Sequence, residues 1–279
     1  MKTYSNSNLK DFISLFKHNI FTTTKKAKRA FRIYLKFSKE IKEMLNYKLE
    51  NKKILDIGCG QRFPYTYLLS KNNNVIGIDL DVILLKHSIK NYKSIIKENG
   101  FNRFIKTFIR SIMFDRTYFK KLSKLNKIPR NHYFKIMKMN AEKLQFKDNS
   151  FDFIISINSF EHFGNVEQCV KEIKRVLKKG GDFYIAIDFF TNIFGGHKYN
   201  PKKPWDHLLH PNFKPNVFLN KLRLDDYKTI FKKYFENVKF NLKENKFAKS
   251  LLTSEIRKKL SKYSESEITA DILLVIGRK

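Results

Sequence analysis

Cysteine is nearly absent from this 279-residue chain. Cys59 and Cys169 are the only two, far apart and without metal-ligand spacing, so neither a disulfide scaffold nor a cysteine-based metal site is expected. Uninterrupted apolar runs of membrane-spanning length are missing too, because lysines break every candidate stretch. The opening residues, MKTYSNSNLK, contain no apolar core followed by a small-residue cleavage site, which argues against a secretory leader. These absences together point to a reducing, cytoplasmic setting. No internal repeat stands out, which argues against a solenoid or an array.

Acidic residues are also scarce. There are 26 Asp and Glu against 57 Lys and Arg, a formal net charge of +31. Such an excess invites a nucleic-acid reading, since Lys and Arg release counterions from phosphates. The competing reading is compositional, because Lys, Asn, Ile and Phe are abundant along the whole chain and most lysines are then simply solvated. The second reading is favoured, and no specific nucleic-acid partner is expected. What the chain does have is apolar material: 42% hydrophobic residues and 27 Phe, enough for one sizeable α/β domain and too much for disorder.

Residues 1–50 read as a helical cap, with Phe12, Ile13, Leu15 and Phe16 followed by a basic run from Lys25 to Arg29. The pattern then changes. Lys53 to Ile57 is a short apolar run closed by Gly58, which suits a buried parallel strand. Asn74 to Asp79 is a second strand, with only a short helix, Tyr65 to Ser70, between them. A helix is expected over Asp81 to Lys90, then a basic helical insertion over 91–132. Tyr133 to Met139 and Phe151 to Ile157 supply the third and fourth strands. Val166, Cys169, Val170, Ile173, Val176 and Leu177 form a helical stripe, ended by Gly180-Gly181 as a C-cap. Asp182 to Asp188 is the fifth strand, and residues 189–222 form an irregular loop or lid. A helix through Tyr227 to Phe235, with Asp225 as N-cap, precedes two last strands, Val238 to Leu242 and Ile268 to Ile276. Alternating strands and helices predict a Rossmann-like three-layer α/β sandwich over 51–279. Its seven-stranded sheet would be mostly parallel, with an antiparallel last strand.

The chemistry starts at Ile54-Leu55-Asp56-Ile57-Gly58-Cys59-Gly60. A strand ending in Asp-x-Gly-x-Gly makes a turn free of side chains, where a ligand can approach the backbone. Phe63 stands where the third glycine of a dinucleotide fingerprint would fall, which weakens a pyrophosphate-binding reading. Asp79 ends the second strand about 20 residues on, where a carboxylate accepts the hydroxyls of a bound ribose. It marks an adenosine site without choosing between NAD and an adenosyl cofactor.

Further stretches make that choice. Val75 to Asp81, Asn140 to Phe146, Asn149 to Ser156, Glu161-His162 and the helix through Leu177 to Gly181 follow the first motif in order. With it, the chain resembles class I S-adenosylmethionine-dependent methyltransferases, especially the "methyltransferase type 11" group, over roughly residues 50–190. The resemblance implies S-adenosylmethionine as cofactor, with Asp56 near its methionine ammonium and Gly58 and Gly60 shaping the turn. It implies Asp79 on the ribose, Leu80 against the adenine, and Asn140 and Ala141 bordering it. Asn158 would face methyl transfer. Asn140 departs from the Asp common in the family, but its amide can still accept and donate hydrogen bonds.

Methyl transfer needs mainly alignment, and a base only for an acceptor that is hard to deprotonate. His162 is a candidate base, with packing beside the cofactor as the alternative. Gly195-Gly196-His197 and Pro204-Trp205-Asp206-His207-Leu208-Leu209-His210-Pro211 follow the fifth strand. They suit an acceptor pocket in which His197 and His207 act and Trp205 stacks on a sugar or aromatic ring; the alternative is a loop packed by Trp205. No histidine spacing there matches a strong metal template. The insertion around Phe101 to Lys127 reads either as a cap over the cofactor cleft or as a membrane-surface helix. The leading expectation is O-methylation of a small molecule or glycan, soluble or lipid-linked, by a cytoplasmic protein that can sit at the inner membrane surface. The alternatives are a quinone-type lipid or RNA acceptor, a binding protein that has lost catalysis, or an NAD enzyme.

Overall fold

The computed structural model describes residues 9–46, 48–129, 131–192, 202–210 and 217–279. Seven strands form one sheet in the order β3-β2-β1-β4-β5-β7-β6. They are β1 (Lys53–Ile57), β2 (Asn74–Asp79), β3 (Phe134–Lys138), β4 (Phe151–Ile157), β5 (Leu177–Asp188), β6 (Asn237–Glu244) and β7 (Ala270–Arg278). β2 pairs in parallel with both β1 and β3, whereas β7 runs antiparallel to both β5 and β6. This is the Rossmann-like arrangement the strand-helix alternation implies. Tertiary contacts divide it into two compact units, residues 6–154 and 155–279.

The first unit contains α1 (Leu9–Leu45), α2 (Pro64–Leu69), α3 (Ile89–Asn99), α4 (Phe101–Arg110), a π-helical turn (Ser111–Asp115) and α5 (Arg116–Asn126). Ile54, Leu55 and Ile57 are buried, as a strand covered on both faces requires. α1 presents Ala27 and Ala30 to Leu68, Tyr118, Leu122 and Ile128, with Phe31 and Tyr34 packed against that cluster. The long helix therefore rests on α2 and α5 through small residues that let the backbones come close.

The second unit contains a 3₁₀ turn (Phe160–His162) and the helices α6 (Val166–Val176), α7 (Asp206–Leu209), α8 (Leu224–Tyr234), α9 (Lys246–Ser250), α10 (Ser254–Lys259) and α11 (Glu265–Ile268). Its core is aromatic. Phe183 lies 5.8 Å from Phe231 and 4.6 Å from Phe235, and Phe160 lies 6.1 Å from Phe231.

Three local expectations are corrected. Residues 81–88 are not helical; Ser88 accepts from the Asn91 amide and starts α3 at Ile89. The Asn99 side chain also bonds both the N–H and the C=O of Val82, which satisfies that backbone without a helix. α6 ends earlier than Gly180-Gly181, because Leu177 already enters β5 with extended geometry. Gly180, at φ 72°, instead turns the start of β5 so that its N–H reaches the Lys279 carbonyl at 2.7 Å. The N-cap of α8 is Arg223 rather than Asp225; the Asp226 carboxylate reaches back to the Arg223 amide at 2.8 Å.

Candidate functional site

Within the first unit, the turn after β1 is held by β2. The amides of Gly58 and Cys59 both donate to the Ile78 carbonyl, at 2.9 and 3.0 Å. Gly58 and Gly60 have φ of 73° and 72°, in the left-handed region that favours glycine. A Cβ on Gly60 would meet nothing within 4 Å, so the turn opens onto free space. Phe63 also has a positive φ, 33°. The side chain that replaces the third glycine is held in aromatic packing, 5.0 Å from Phe119 and 5.5 Å from Phe134.

Asp79 faces that opening with its carboxylate oriented by backbone. Oδ2 accepts from the Gly60 amide at 2.9 Å and Oδ1 from the Asp81 amide at 3.0 Å. Each oxygen keeps a lone pair for a hydroxyl. Burial raises its pKa above the usual carboxylate value, opposed by those two amides. Leu80, next to it, is 53% exposed, an apolar surface without cover. A backbone-fixed carboxylate, an uncovered leucine and a turn free of side chains match the chemistry of an adenosine. Asn140 is exposed, with its Oδ1 on the Glu142 amide at 2.9 Å, and Ala141 is close to buried.

Asp56 is buried inside β1. Its Oδ2 accepts from the Thr66 hydroxyl at 2.6 Å, and desolvation pushes its pKa up to about 7, with the Asp79 charge adding to the rise. The contact depends on Gly77, where a Cβ would come within 2.6 Å of Thr66 Oγ1 and 2.8 Å of Ile136 Cδ1.

The sequence offers no sign of how the basic insertion is tied to this turn. Asp115 receives Arg62 Nε at 2.9 Å and Arg110 Nε at 3.0 Å. Arg110 also donates to the Gln61 carbonyl at 3.1 Å, and Arg103 reaches Asp81 at 2.9 Å. The insertion is therefore ion-paired to the residues that follow Gly60 and Asp79. Phe101, Ile112 and Met113 nevertheless remain exposed on it, as does Ile89 just before it.

The second unit carries the remaining candidates. Asn158 follows β4 at φ 54°, exposed, with its N–H on the Ala186 carbonyl at 2.8 Å. His162 is half-buried; its Nδ1 lies 2.8 Å from the Phe218 carbonyl. In the neutral ring Nδ1–H must donate there, leaving the Nε2 lone pair 3.5 Å from Glu161 Oε1. Burial lowers the His162 pKa. His207 is buried on α7, and desolvation brings its pKa down to about 3, so the ring is neutral across the physiological range. His197 lies outside the described residues. The stacking role read for Trp205 is corrected: the ring is 2% exposed and its Nε1 donates to the Ile268 carbonyl at 2.7 Å. It is a packing anchor, as the alternative reading had it.

One group was not singled out from the sequence. Glu161 is buried, and neither carboxylate oxygen has a hydrogen-bond partner. Desolvation and the nearby Asp188 charge drive its pKa well above the usual value. Asp188, at the end of β5, is also buried and accepts from Asn192 Nδ2 at 2.9 Å. Tyr227 feels the Glu161 charge, and its hydroxyl donates to Asn220 Oδ1 at 3.3 Å. The available signal was that Asp188 ends a strand, the same reason Asp79 drew attention. Among the described residues no group of three or more His, Cys, Asp or Glu is placed to hold a metal ion, and no helix is long and apolar enough to cross a membrane.

Comparison with known proteins finds similarity over part of the chain. Residues 107–185 match the model of the methyltransferase domain. A sterol 4-C-methyltransferase of Caenorhabditis elegans is 34% identical over 83 residues, 30% of this chain and 25% of that protein. An uncharacterized protein of Methanocaldococcus jannaschii is 30% identical over 132 residues, 47% of this chain and 62% of its own length. The chain thus spans less than two thirds of these curated relatives. Among solved structures, an S-adenosylmethionine-dependent methyltransferase of Methanosarcina mazei aligns with TM-score 0.48 and 18% identity, covering 85% of this chain and 96% of that one.

Proposed function

We propose that this chain, which carries a methyltransferase domain on a class I fold, methylates a hydroxyl of a small molecule or glycan, free or lipid-linked. The observation that carries the reading is Asp79, locked by the Gly60 and Asp81 amides beside the exposed Leu80. S-adenosylmethionine, when bound, supplies a methyl group activated by a sulfonium. Asp79 would take the ribose hydroxyls, Leu80 the adenine face with Asn140 and Ala141 at its border, and Asp56 the ammonium end. Gly58 and Gly60 leave room for the backbone to approach. Asn158 and His162 would serve the acceptor. His207 is neutral and buried, so a packing role fits it better than proton transfer.

Calorimetric titration with S-adenosylmethionine, S-adenosylhomocysteine and NAD tests the cofactor. The adenosyl compounds bind and NAD does not. In Asp79→Ala the affinity falls about 10- to 100-fold, the worth of hydrogen bonds to a charged acceptor. Unchanged affinity would place the ribose elsewhere.

A lipid-linked acceptor draws support from the insertion. Ile89, Phe101, Ile112 and Met113 are exposed beside Lys90, Lys93, Lys97, Arg116 and Lys120, all exposed as well. Exposed apolar side chains and exposed cations close in sequence suit an anionic bilayer surface, where each cation contributes about 1 kcal/mol. The protein should float with phosphatidylserine-containing vesicles and not with neutral ones, and Ile112→Glu/Met113→Glu should abolish flotation without lowering the melting temperature. Equal flotation of the double variant would leave the insertion as a cap alone.

A further inference from the structure

We propose that the outer face of α1, continued by α5, is a docking surface for the phosphate backbone of duplex DNA, a binding function separate from methyl transfer. The cations of this chain are not evenly spread. Residues 22–45 hold eight Lys and Arg against two Glu, and residues 116–127 hold five against none. That is a net charge of +11 in 36 residues, about three times the density of +31 in 279. Lys25, Arg29, Arg32, Lys36 and Lys39 recur every three or four residues and are all exposed. They form one row about 21 Å long, with a cation about every 5 Å. Ala27, Ala30, Phe37 and Ile41, between them in sequence, are buried. Arg116, Lys120, Lys124 and Lys127, also exposed, make a second row on and just after α5. Ala27 and Ala30 share a core cluster with Tyr118 and Leu122, so the two rows stand on neighbouring helices of one unit. Acids offset them little. Glu43 pairs with Lys39 at 3.7 Å, and Asp115, just before α5, is committed to Arg62 and Arg110.

Such a face fits a polyanion. B-DNA carries one negative charge about every 1.7 Å of its axis and releases condensed counterions when Lys and Arg replace them. Cations in rows along a helix are the matching electrostatic footprint. A single strand would also need aromatic rings on which its bases could stack. The rings of these two helices are turned inward instead: Phe37 and Tyr118 are buried, and Phe31, Tyr34 and Phe119 pack on the shared cluster. A duplex has its bases stacked already and asks only for contacts to phosphate. A helix lying in a bilayer sinks an apolar face among the acyl chains. The apolar face of α1 is spent on protein, and among its described large hydrophobic residues only Leu35 is exposed. Lys and Arg offer donors to phosphate and no acceptor to the 2′-hydroxyl that marks RNA, which makes DNA the occupant. Phosphate contacts carry no sequence information, so the binding is independent of base sequence.

The experiment is fluorescence anisotropy of the full chain with a labelled DNA duplex of about 20 base pairs, titrated at salt from about 50 to 200 mM. The wild type binds, and two unrelated duplex sequences bind within about twofold of each other. Lys25→Gln/Arg29→Gln/Arg32→Gln/Lys36→Gln weakens binding about 100-fold or more and flattens the slope of log affinity against log salt by about 3 to 4. Its melting temperature and its S-adenosylmethionine affinity stay with the wild type, because the four side chains are exposed and stand apart from the Gly60 turn. Adding Lys120→Gln/Lys124→Gln on α5 weakens the duplex further. The control removes the same charge from exposed positions of the other unit, Lys232→Gln/Lys239→Gln/Lys246→Gln/Lys258→Gln, and changes affinity by less than about threefold. Equal losses in the two quadruple variants would mean that net charge alone is at work, and would overturn the proposal. So would tighter binding of the single strand or of an RNA duplex than of the DNA duplex. An α1 variant that keeps DNA but no longer floats with phosphatidylserine vesicles would overturn it too, as the behaviour of a bilayer-docking face.

Discussion

Asp56→Asn is expected to make the ligand-free protein more stable at pH 8 and to weaken S-adenosylmethionine binding by roughly 100-fold. Both effects come from one buried carboxyl group. In the ligand-free chain burial raises the Asp56 pKa to about 7. A group whose folded pKa lies above its unfolded value stabilises the fold at low pH. That contribution is complete below the unfolded value near 4 and is lost as pH rises through about 7. A rise of about three units corresponds to about 4 kcal/mol by pH 8. Asparagine does not titrate, and its Oδ1 can still accept from Thr66, so thermal melts should show the variant several degrees above wild type at pH 8 and no higher at pH 4. A bound ammonium reverses the balance by holding the carboxylate ionised. Cofactor affinity in the wild type should therefore strengthen from pH 5.5 to about 7.5, with proton release at pH 6 visible as a buffer-dependent heat. Affinity that does not change over that range would remove Asp56 from the ammonium site.

Trp205→Ala should cost about 3–5 kcal/mol, since it empties one of the largest fully buried side-chain volumes and orphans the Ile268 carbonyl. For a chain of this size each kcal/mol moves the melting temperature by about 2–4 °C, so a fall on the order of 10 °C follows. Trp205→Phe refills most of the volume but not the hydrogen bond, and should fall between. Calorimetric melts of both variants check this. A Trp205→Ala protein that melts with wild type would mean the ring is not a packing anchor.

Much of the fold was legible without the structure, for a local reason. β1 and β4 are short, mostly buried apolar runs because strands covered on both faces cannot alternate, and the ends of β1 to β4 match the expected ends closely. The Gly58–Gly60 turn announces itself because both positions need positive φ. Gly180 shows the limit of such reasoning. A glycine turn was expected there, but whether it ended α6 or bent β5 depended on Lys279, nearly a hundred residues away, whose carbonyl its amide reaches.

The sequence by itself determined the strand-helix alternation, the carboxylates at the ends of β1 and β2, and the family resemblance they carry. These follow from sterics and periodicity over a few residues. Only the tertiary structure decided that Trp205 faces the Ile268 backbone, that Asp115 joins Arg62 and Arg110, and that Glu161 and Asp188 share one buried environment. Those outcomes depend on which distant side chains packing brings together and which of them lose water. Desolvation, which sets the proton affinities of Asp56 and Glu161, belongs to no residue until the chain has folded around it.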